Sequence, residues 1–270
     1  MIIPDFNPRL NFSFLIALSS TLILFAACSD REPSQEIPSP ESPETEQAIV
    51  IQDEGFESIF NGTDLDGWDG DERFWSVEDG NIVGETSPDN LSERNTFLIW
   101  EGGEPANFEV RFRYRFVIVS DDEYGNSGIQ VRSERFTDDE NPELQHRVRG
   151  YQPDFAISDW IPGILYEEAG REILARRGER VEIDSDGTMQ SDRFAEEDEL
   201  GRSISHTDWN DYHVYANGDT IRTTINGHLM HELIDRAPEA RESGIIAFQL
   251  HSGPPMRVEF TDVELKLLND

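Results

Sequence analysis

Apolar and polar side chains alternate without a break from Asn107 to Val119. Phe108, Val110, Phe112, Tyr114 and Phe116 fall on one face, and Glu109, Arg111, Arg113 and Arg115 on the other. A period of two held over a dozen residues specifies a strand with one buried face, not a helix. The same alternation recurs toward the end of the chain, where Val258 and Phe260 interleave with Arg257 and Glu259 between Met256 and Leu268. Asp79-Gly80 sits inside Trp75–Gly84 as a hairpin turn. Asn217-Gly218 and Asn226-Gly227 punctuate two further strands, Asp211–Gly218 and Thr220–His228. Asp121–Asn126 and Asp184–Gly201 read as acidic loops, the latter with a solvated Asp184-Ser-Asp-Gly187 turn. A short helical turn around Ala169–Arg176 is the one segment that departs from the strand pattern. Many strands, frequent glycine turns and no repeat predict an all-β sandwich or jelly roll of two antiparallel sheets.

Four segments carry an unusual outer face. In Asn126–Ser133, Ile129 and Val131 would point to a core while Gln130 and Arg132 point away from it. In Gly150–Asp154, Gln152 and Asp154 share a face, and His146 joins them if the strand begins that early. Gly163–Arg171 contributes Tyr166, Glu168 and Arg171, and in Ser243–His251 the core residues Ile246, Phe248 and Leu250 alternate with Ala247, Gln249 and His251. The wet face of a soluble sheet is ordinarily Thr, Ser, Lys and Glu. Gln, Arg, His, Asp and Tyr are side chains with the donors and acceptors to grip a polyhydroxylated ligand. The competing reading is a plain sandwich whose wet face is rich in Arg.

The ends and the composition narrow the class. Residues 1–27 read as a lipoprotein-type export signal: the apolar run Phe12–Ala27 is short for a membrane span and ends in Leu24-Phe-Ala-Ala-Cys28. Cys28 is the only cysteine, so its position marks it for lipidation and leaves the mature domain without a disulfide. Residues 28–55 are acidic and rich in Pro and Ser, a disordered tether, and residues 56–270 form one folded domain. This organisation predicts an exported chain held at the cell envelope by its lipid anchor, with no other membrane contact. With 56 acidic against 22 basic residues and a net charge of −34, the surface repels nucleic-acid phosphates.

Taken in order, Phe60-Asn-Gly-Thr-Asp-Leu-Asp-Gly-Trp68, Trp75 with Val77-Glu-Asp-Gly80, Phe108-Glu-Val-Arg111, Asn126-Ser-Gly128, Gly150-Tyr-Gln152, Asp208-Trp-Asn210, Ile225-Asn-Gly227 and Phe260-Thr-Asp-Val-Glu-Leu265 form a set. The chain resembles the 3-keto-disaccharide hydrolase family (3-keto-glucoside 1,2-lyase/2-hydroxy-glucal hydratase domains) from about Phe56 to Leu268. The resemblance implies a concanavalin A-like jelly roll. It also implies a glycoside whose C3 hydroxyl has already been oxidised to a ketone, so that a sugar 3-dehydrogenase would supply the substrate. The ketone acidifies the hydrogen on C2. A base removes it, the enolate expels the group on C1, and water adds back.

Such chemistry needs a base near C2, stabilisation of the C3 oxyanion and an acid for the departing oxygen. Arg132 and Arg171 are the candidates for the oxyanion clamp. His146, Asp154, Glu168 and His251 are the candidate acids and bases, with a His leading because it titrates nearest neutrality. Gln130, Tyr151, Gln152, Tyr166 and Gln249 would read sugar hydroxyls, with Trp160 as a stacking ring. No cofactor is required by the sequence. A divalent metal stays open, because His146, Asp154, Glu168 and His251 are donors without a recognised ligand spacing. Trp68, Trp75 and Trp209 read as core, and His206, His213, His228 and His231 are given no role. The alternative to an enzyme is a non-catalytic, lectin-like carbohydrate-binding module on the same fold.

Overall fold

A computed structural model describes residues 54–135 and 146–269. Residues 1–53, which include the expected export signal, Cys28 and nearly all of the tether, lie outside the described residues. The strands open in chain order with β1 (Glu57–Ser58), β2 (Trp68–Asp69), β3 (Trp75–Glu78) and β4 (Asn81–Glu85). They continue with β5 (Thr96–Trp100), β6 (Phe108–Val117), β7 (Asn126–Arg135) and β8 (Val148–Ala156). After β9 (Leu165–Glu168), β10 (Glu172–Ala175), β11 (Glu179–Ile183) and β12 (Met189–Arg193) comes a five-residue helix, α1 (Glu197–Gly201). β13 (Asn210–Asn217), β14 (Thr220–Ile225), β15 (His228–Asp235), β16 (Ile245–Leu250) and β17 (Arg257–Leu267) follow.

These strands build the concanavalin A-like sandwich. One sheet has ten strands in the order β12-β11-β15-β14-β13-β6-β17-β4-β3, with β1 added on β17. The other has seven, in the order β10-β9-β8-β7-β16-β5-β2. Pairing is antiparallel throughout the described strands except between β11 and β15. The long non-local pairs β6–β17 and β7–β16 close the jelly-roll crossovers.

The core lies between the sheets and is strongly aromatic. Every second residue of β6 is buried, as the alternation requires. Phe112 meets Phe248 edge-on at 5.0 Å, and Phe248 stacks on Phe260 at 4.0 Å. Phe155 packs against Tyr114 and Tyr212 at 4.1 and 5.1 Å. Burying such rings supplies the largest apolar areas available to a disulfide-free domain.

Two local expectations are corrected. The segment around Ala169–Arg176 is not helical: it is the β9–β10 hairpin, turned by positive φ at Ala169 and Glu172. The acidic segment Asp184–Gly201 is not a bare loop either, since β12 and α1 occupy it. Asp184–Gly187 is the turn between β11 and β12, with the Asp186 carboxylate accepting the Thr188 N–H at 2.9 Å.

Candidate functional site

Residues of the seven-stranded sheet that point away from the core gather around one cavity of about 280 Å³. The parity of each strand decides what reaches it. In β8, Tyr151 and Phe155 enter the core, so Gln152 and Asp154 face the cavity. Tyr166 lies opposite Gln152, and Glu168 lies opposite Gly150, which places Tyr166 and Glu168 on the same face. In β16, Phe248 and Leu250 enter the core, and Gln249 together with the following His251 faces outward. Gly128 of β7 pairs with Asp154. A Cβ there would run into the Asp154 carboxylate and the Gln152 side chain, so glycine is what lets those two side chains lie flat on the sheet.

Behind the cavity runs a buried amide chain with one internally consistent polarity. The Ser133 hydroxyl donates to Gln130 Oε1 at 2.6 Å, and Gln130 Nε2 donates to Gln152 Oε1 at 2.5 Å. Gln249 Nε2 donates to the same Gln152 oxygen at 2.9 Å. With its carbonyl accepting twice, Gln152 must turn its NH2 to Asp154 Oδ1, 2.6 Å away. Gln249 Oε1 is buried with no partner. A small apolar cluster of Phe97, Ile99, Val148, Ile245 and Ala247 flanks this chain and keeps the surroundings dry.

Dry surroundings penalise charge. Burial pushes the Asp154 carboxyl well above the usual carboxylate range, and the nearby Glu168 charge pushes it the same way against the Gln152 bond. Glu168 is also raised, again chiefly by burial, against the opposing pull of Asn95, Arg147 and His251. Tyr166 is raised by burial and by the Glu168 charge. The His251 ring is fixed from behind: Nδ1–H donates to the Ser252 carbonyl at 2.5 Å, and the Tyr124 hydroxyl lies 2.9 Å from the same nitrogen. In the neutral ring that arrangement leaves Nε2 free to accept a proton, and no bond occupies it among the described residues. Among the described residues no group of three or more His, Cys, Asp or Glu is placed to hold a metal ion.

The cavity wall formed by residues 157–164 is pinned from beneath. Arg177, fully buried, donates to the carbonyls of Asp159 and Pro162 at 2.6 Å each. His231 Nδ1–H donates to the Gly163 carbonyl at 2.9 Å, and burial lowers this His to about 4, so it stays neutral. On this wall Ile161 and Ile164 line the cavity, and Trp160 stands 50% exposed at its mouth.

Of the candidate residues, the structure brings Asp154, Glu168, His251, Gln152, Gln249, Tyr166 and Trp160 to the cavity. Gln130 sits one bond behind it. Four others are elsewhere. Arg132 does not share the face of Gln130, because β7 bulges between Val131 and Glu134 and Arg132 adopts φ +47°. Its guanidinium instead holds the carbonyls of Ala106 (2.7 and 2.9 Å) and Gly218 (2.7 Å). Arg171 lies in the β9–β10 turn, bonded to Glu167 and Asp235 at 2.7 and 2.6 Å. Tyr151 faces the core and donates its hydroxyl to Asp235 at 2.6 Å. His146 lines a neighbouring hollow, with Nε2 3.2 Å from Asp69.

Asn95, Asn126 and Tyr124 were not anticipated. Asn95 and Asn126 line the cavity, and the Asn95 amide reaches Glu168 Oε1 at 3.5 Å while its oxygen accepts the Ser252 N–H at 3.1 Å. Asn126 opens β7 with the parity of Gly128 and Gln130, a signal that was available; Asn95 lies just before β5 and is placed only by tertiary contact. A hollow of about 410 Å³ on the outer face of the larger sheet offers no comparable chemistry. Its Arg111, Arg113 and His213 are engaged by Glu264, Asp211 and Glu109.

Residues 55–266 match the 3-keto-alpha-glucoside-1,2-lyase-like domain family. No curated protein matches the chain. Among solved structures, the carbohydrate-binding module CBM66 from Bacillus subtilis aligns at 12% identity over 78% of this chain and 99% of its own, with a TM-score of 0.49. A Bacillus subtilis protein of unknown function with a galectin-like fold aligns at 10% identity over 75% and 90%, with a TM-score of 0.48.

Proposed function

The chain belongs to the carbohydrate-active family of 3-keto-alpha-glucoside-1,2-lyase-like domains, and from that premise we propose that it cleaves 3-keto-glucosides by elimination and hydration, giving net hydrolysis. One observation carries the reading: a His with an unoccupied Nε2 and two carboxyls whose pKa burial raises converge on one cavity.

The roles follow from the protonation states. His251 Nε2 takes the proton from C2, and the electron pair moves onto the C3 oxygen as an enolate. Asp154, kept neutral, donates a hydrogen bond to that oxygen; a buried protonated carboxyl can do what a cationic clamp was expected to do. The enolate collapses to restore the ketone, forms the C1–C2 double bond and breaks the bond from C1 to the departing oxygen, which takes the Glu168 proton. Water then adds. Glu168 carboxylate accepts its proton, hydroxide bonds C1, and the imidazolium, its proton exchanged with solvent once the leaving group departs, protonates C2, so both groups are reset. Gln249 Oε1 and the amides of Asn95 and Asn126 would accept or donate to ring hydroxyls, and Trp160 would cover an apolar sugar face.

The acid–base groups favour this reading over a lectin, which binds through amides and aromatic platforms and has little use for two buried carboxyls beside a His. The substrate's ketone would come from an oxidation at C3 by a separate enzyme. Export and lipid anchoring at Cys28 would place the reaction at the cell envelope. The test is incubation of the purified protein with a 3-keto-disaccharide and with the parent disaccharide. Release of the 3-keto-sugar from the first alone is expected. Binding of both without cleavage would overturn the enzyme reading in favour of a binding module.

A further inference from the structure

Beside the cavity lies a second hollow of about 460 Å³, lined by Leu91, Ser92, Arg94, Asn95, His146 and Arg147 among others. The two are joined at Asn95, which lines both and bonds Glu168 at 3.5 Å. Arg147 lines the second hollow and its charge acts on Glu168. Glu168 therefore stands at the junction. At about 280 Å³ the first cavity lies at the small end of ligand sites, which run to roughly 300–1,000 Å³, so it suits one ring and not two.

The second hollow also has the wrong charge for this chain. Bases are outnumbered by acids 22 to 56 overall, yet among the described residues this hollow is lined by Arg73, Arg94 and Arg147 against Asp71 and Glu93. Asp71 is committed to Arg73 at 2.5 Å. The Arg94 guanidinium is exposed and makes no ion pair or side-chain hydrogen bond among the described residues. A planar fork without an acceptor, at the wall of a hollow, is suited to a carboxylate or sulfate.

We propose that this hollow is the leaving-group subsite, and that it selects a leaving sugar carrying an anionic oxygen group. The proposal rests on the elimination reading, because it needs Glu168 to meet the departing oxygen where the two hollows join. Leu91, exposed on the rim, offers the apolar contact for the second ring.

The test uses three 3-keto-glucosides that differ only in the leaving ring: a neutral hexose, the corresponding uronic acid and a sulfated hexose. Wild-type protein is expected to favour one or both anionic substrates in kcat/KM, with the preference weakening as salt rises. Whether the uronate or the sulfate gains more identifies the source of the anionic group. In Arg94→Gln the anionic-to-neutral ratio is expected to fall about fivefold, the scale of an exposed ion pair. Equal kcat/KM for all three, or a ratio unmoved in Arg94→Gln, overturns the proposal. Cleavage of none of the three would instead refute the elimination reading itself.

Discussion

Arg132→Ala separates a structural guanidinium from a catalytic one. Arg132 is 2% exposed and spends its donors on backbone: two bonds to Ala106 O, one to Gly218 O and a longer contact of 3.5 Å to Arg241 O. Truncation leaves two well-bonded carbonyls without donors, at about 1–3 kcal/mol each if they stay dry. Partial rescue by water brings the expected loss to about 3 kcal/mol. The backbone at φ +47° gives no compensation, since Ala is as poorly suited to that region as Arg. For a domain of this size about 3 kcal/mol corresponds to a fall in Tm of about 6–12 °C. Thermal unfolding followed by circular dichroism measures it, and turnover of a 3-keto-disaccharide well below the transition measures the other half. Turnover per folded molecule is expected to stay within about twofold of wild type. A variant with native Tm and turnover reduced a hundredfold would refute the reasoning and return Arg132 to the reacting centre.

Four further outcomes follow from the site. Glu168→Gln should lower kcat about 100- to 10,000-fold for a sugar leaving group and much less for an activated phenol, which needs no proton; equal losses in a steady-state assay of both would remove Glu168 as the acid. Because Glu168 acts protonated and its pKa is raised, wild-type activity should decline as pH climbs through that pKa, a limb absent from the Gln variant's pH profile. Asp154 carries a matching stability signature: as pH rises from the ordinary carboxylate range toward its raised value, the unfolded chain gives up the proton while the folded one keeps it, so stability falls across that window. Asp154→Asn should flatten this slope in urea titrations at several pH values, and an unchanged slope would mean Asp154 is not held neutral. Trp160→Ala, altering a half-exposed ring, should raise KM about three- to tenfold while leaving Tm within a degree or two; an unaltered KM would show that no sugar stacks there.

How far the chain reveals its own site is decided by strand parity. Where alternation runs unbroken, the reading was sound: β6 buries every second residue, and Gln152, Asp154 and Gln249 emerge on the face that their neighbours' burial dictates. Tyr151 was assigned against its own parity, since it is flanked by Gly150 and Gln152 and must enter the core if Gln152 does not. Arg132 could not have been placed correctly from spacing, because one extra residue in β7 reverses everything after it and no glycine or proline marks the bulge. Arg171 failed for a related reason, as the β9–β10 turn carries it past the end of the strand to Glu167 and Asp235. Asn95 and Arg147 lie just ahead of β5 and β8, so only the meeting of distant strands sets them beside Glu168. Protonation was illegible too: a carboxyl is raised by the burial around it, which no local pattern encodes.

The central claim is that this cavity draws a proton from the carbon next to a ketone. In D2O, with a 3-keto-disaccharide as substrate, proton NMR should show deuterium entering C2 of the released 3-keto-sugar with wild-type protein, and neither exchange nor release with a folded His251→Ala variant. Release of a 3-keto-sugar that retains its original C2 hydrogen would contradict elimination and point to direct displacement at C1.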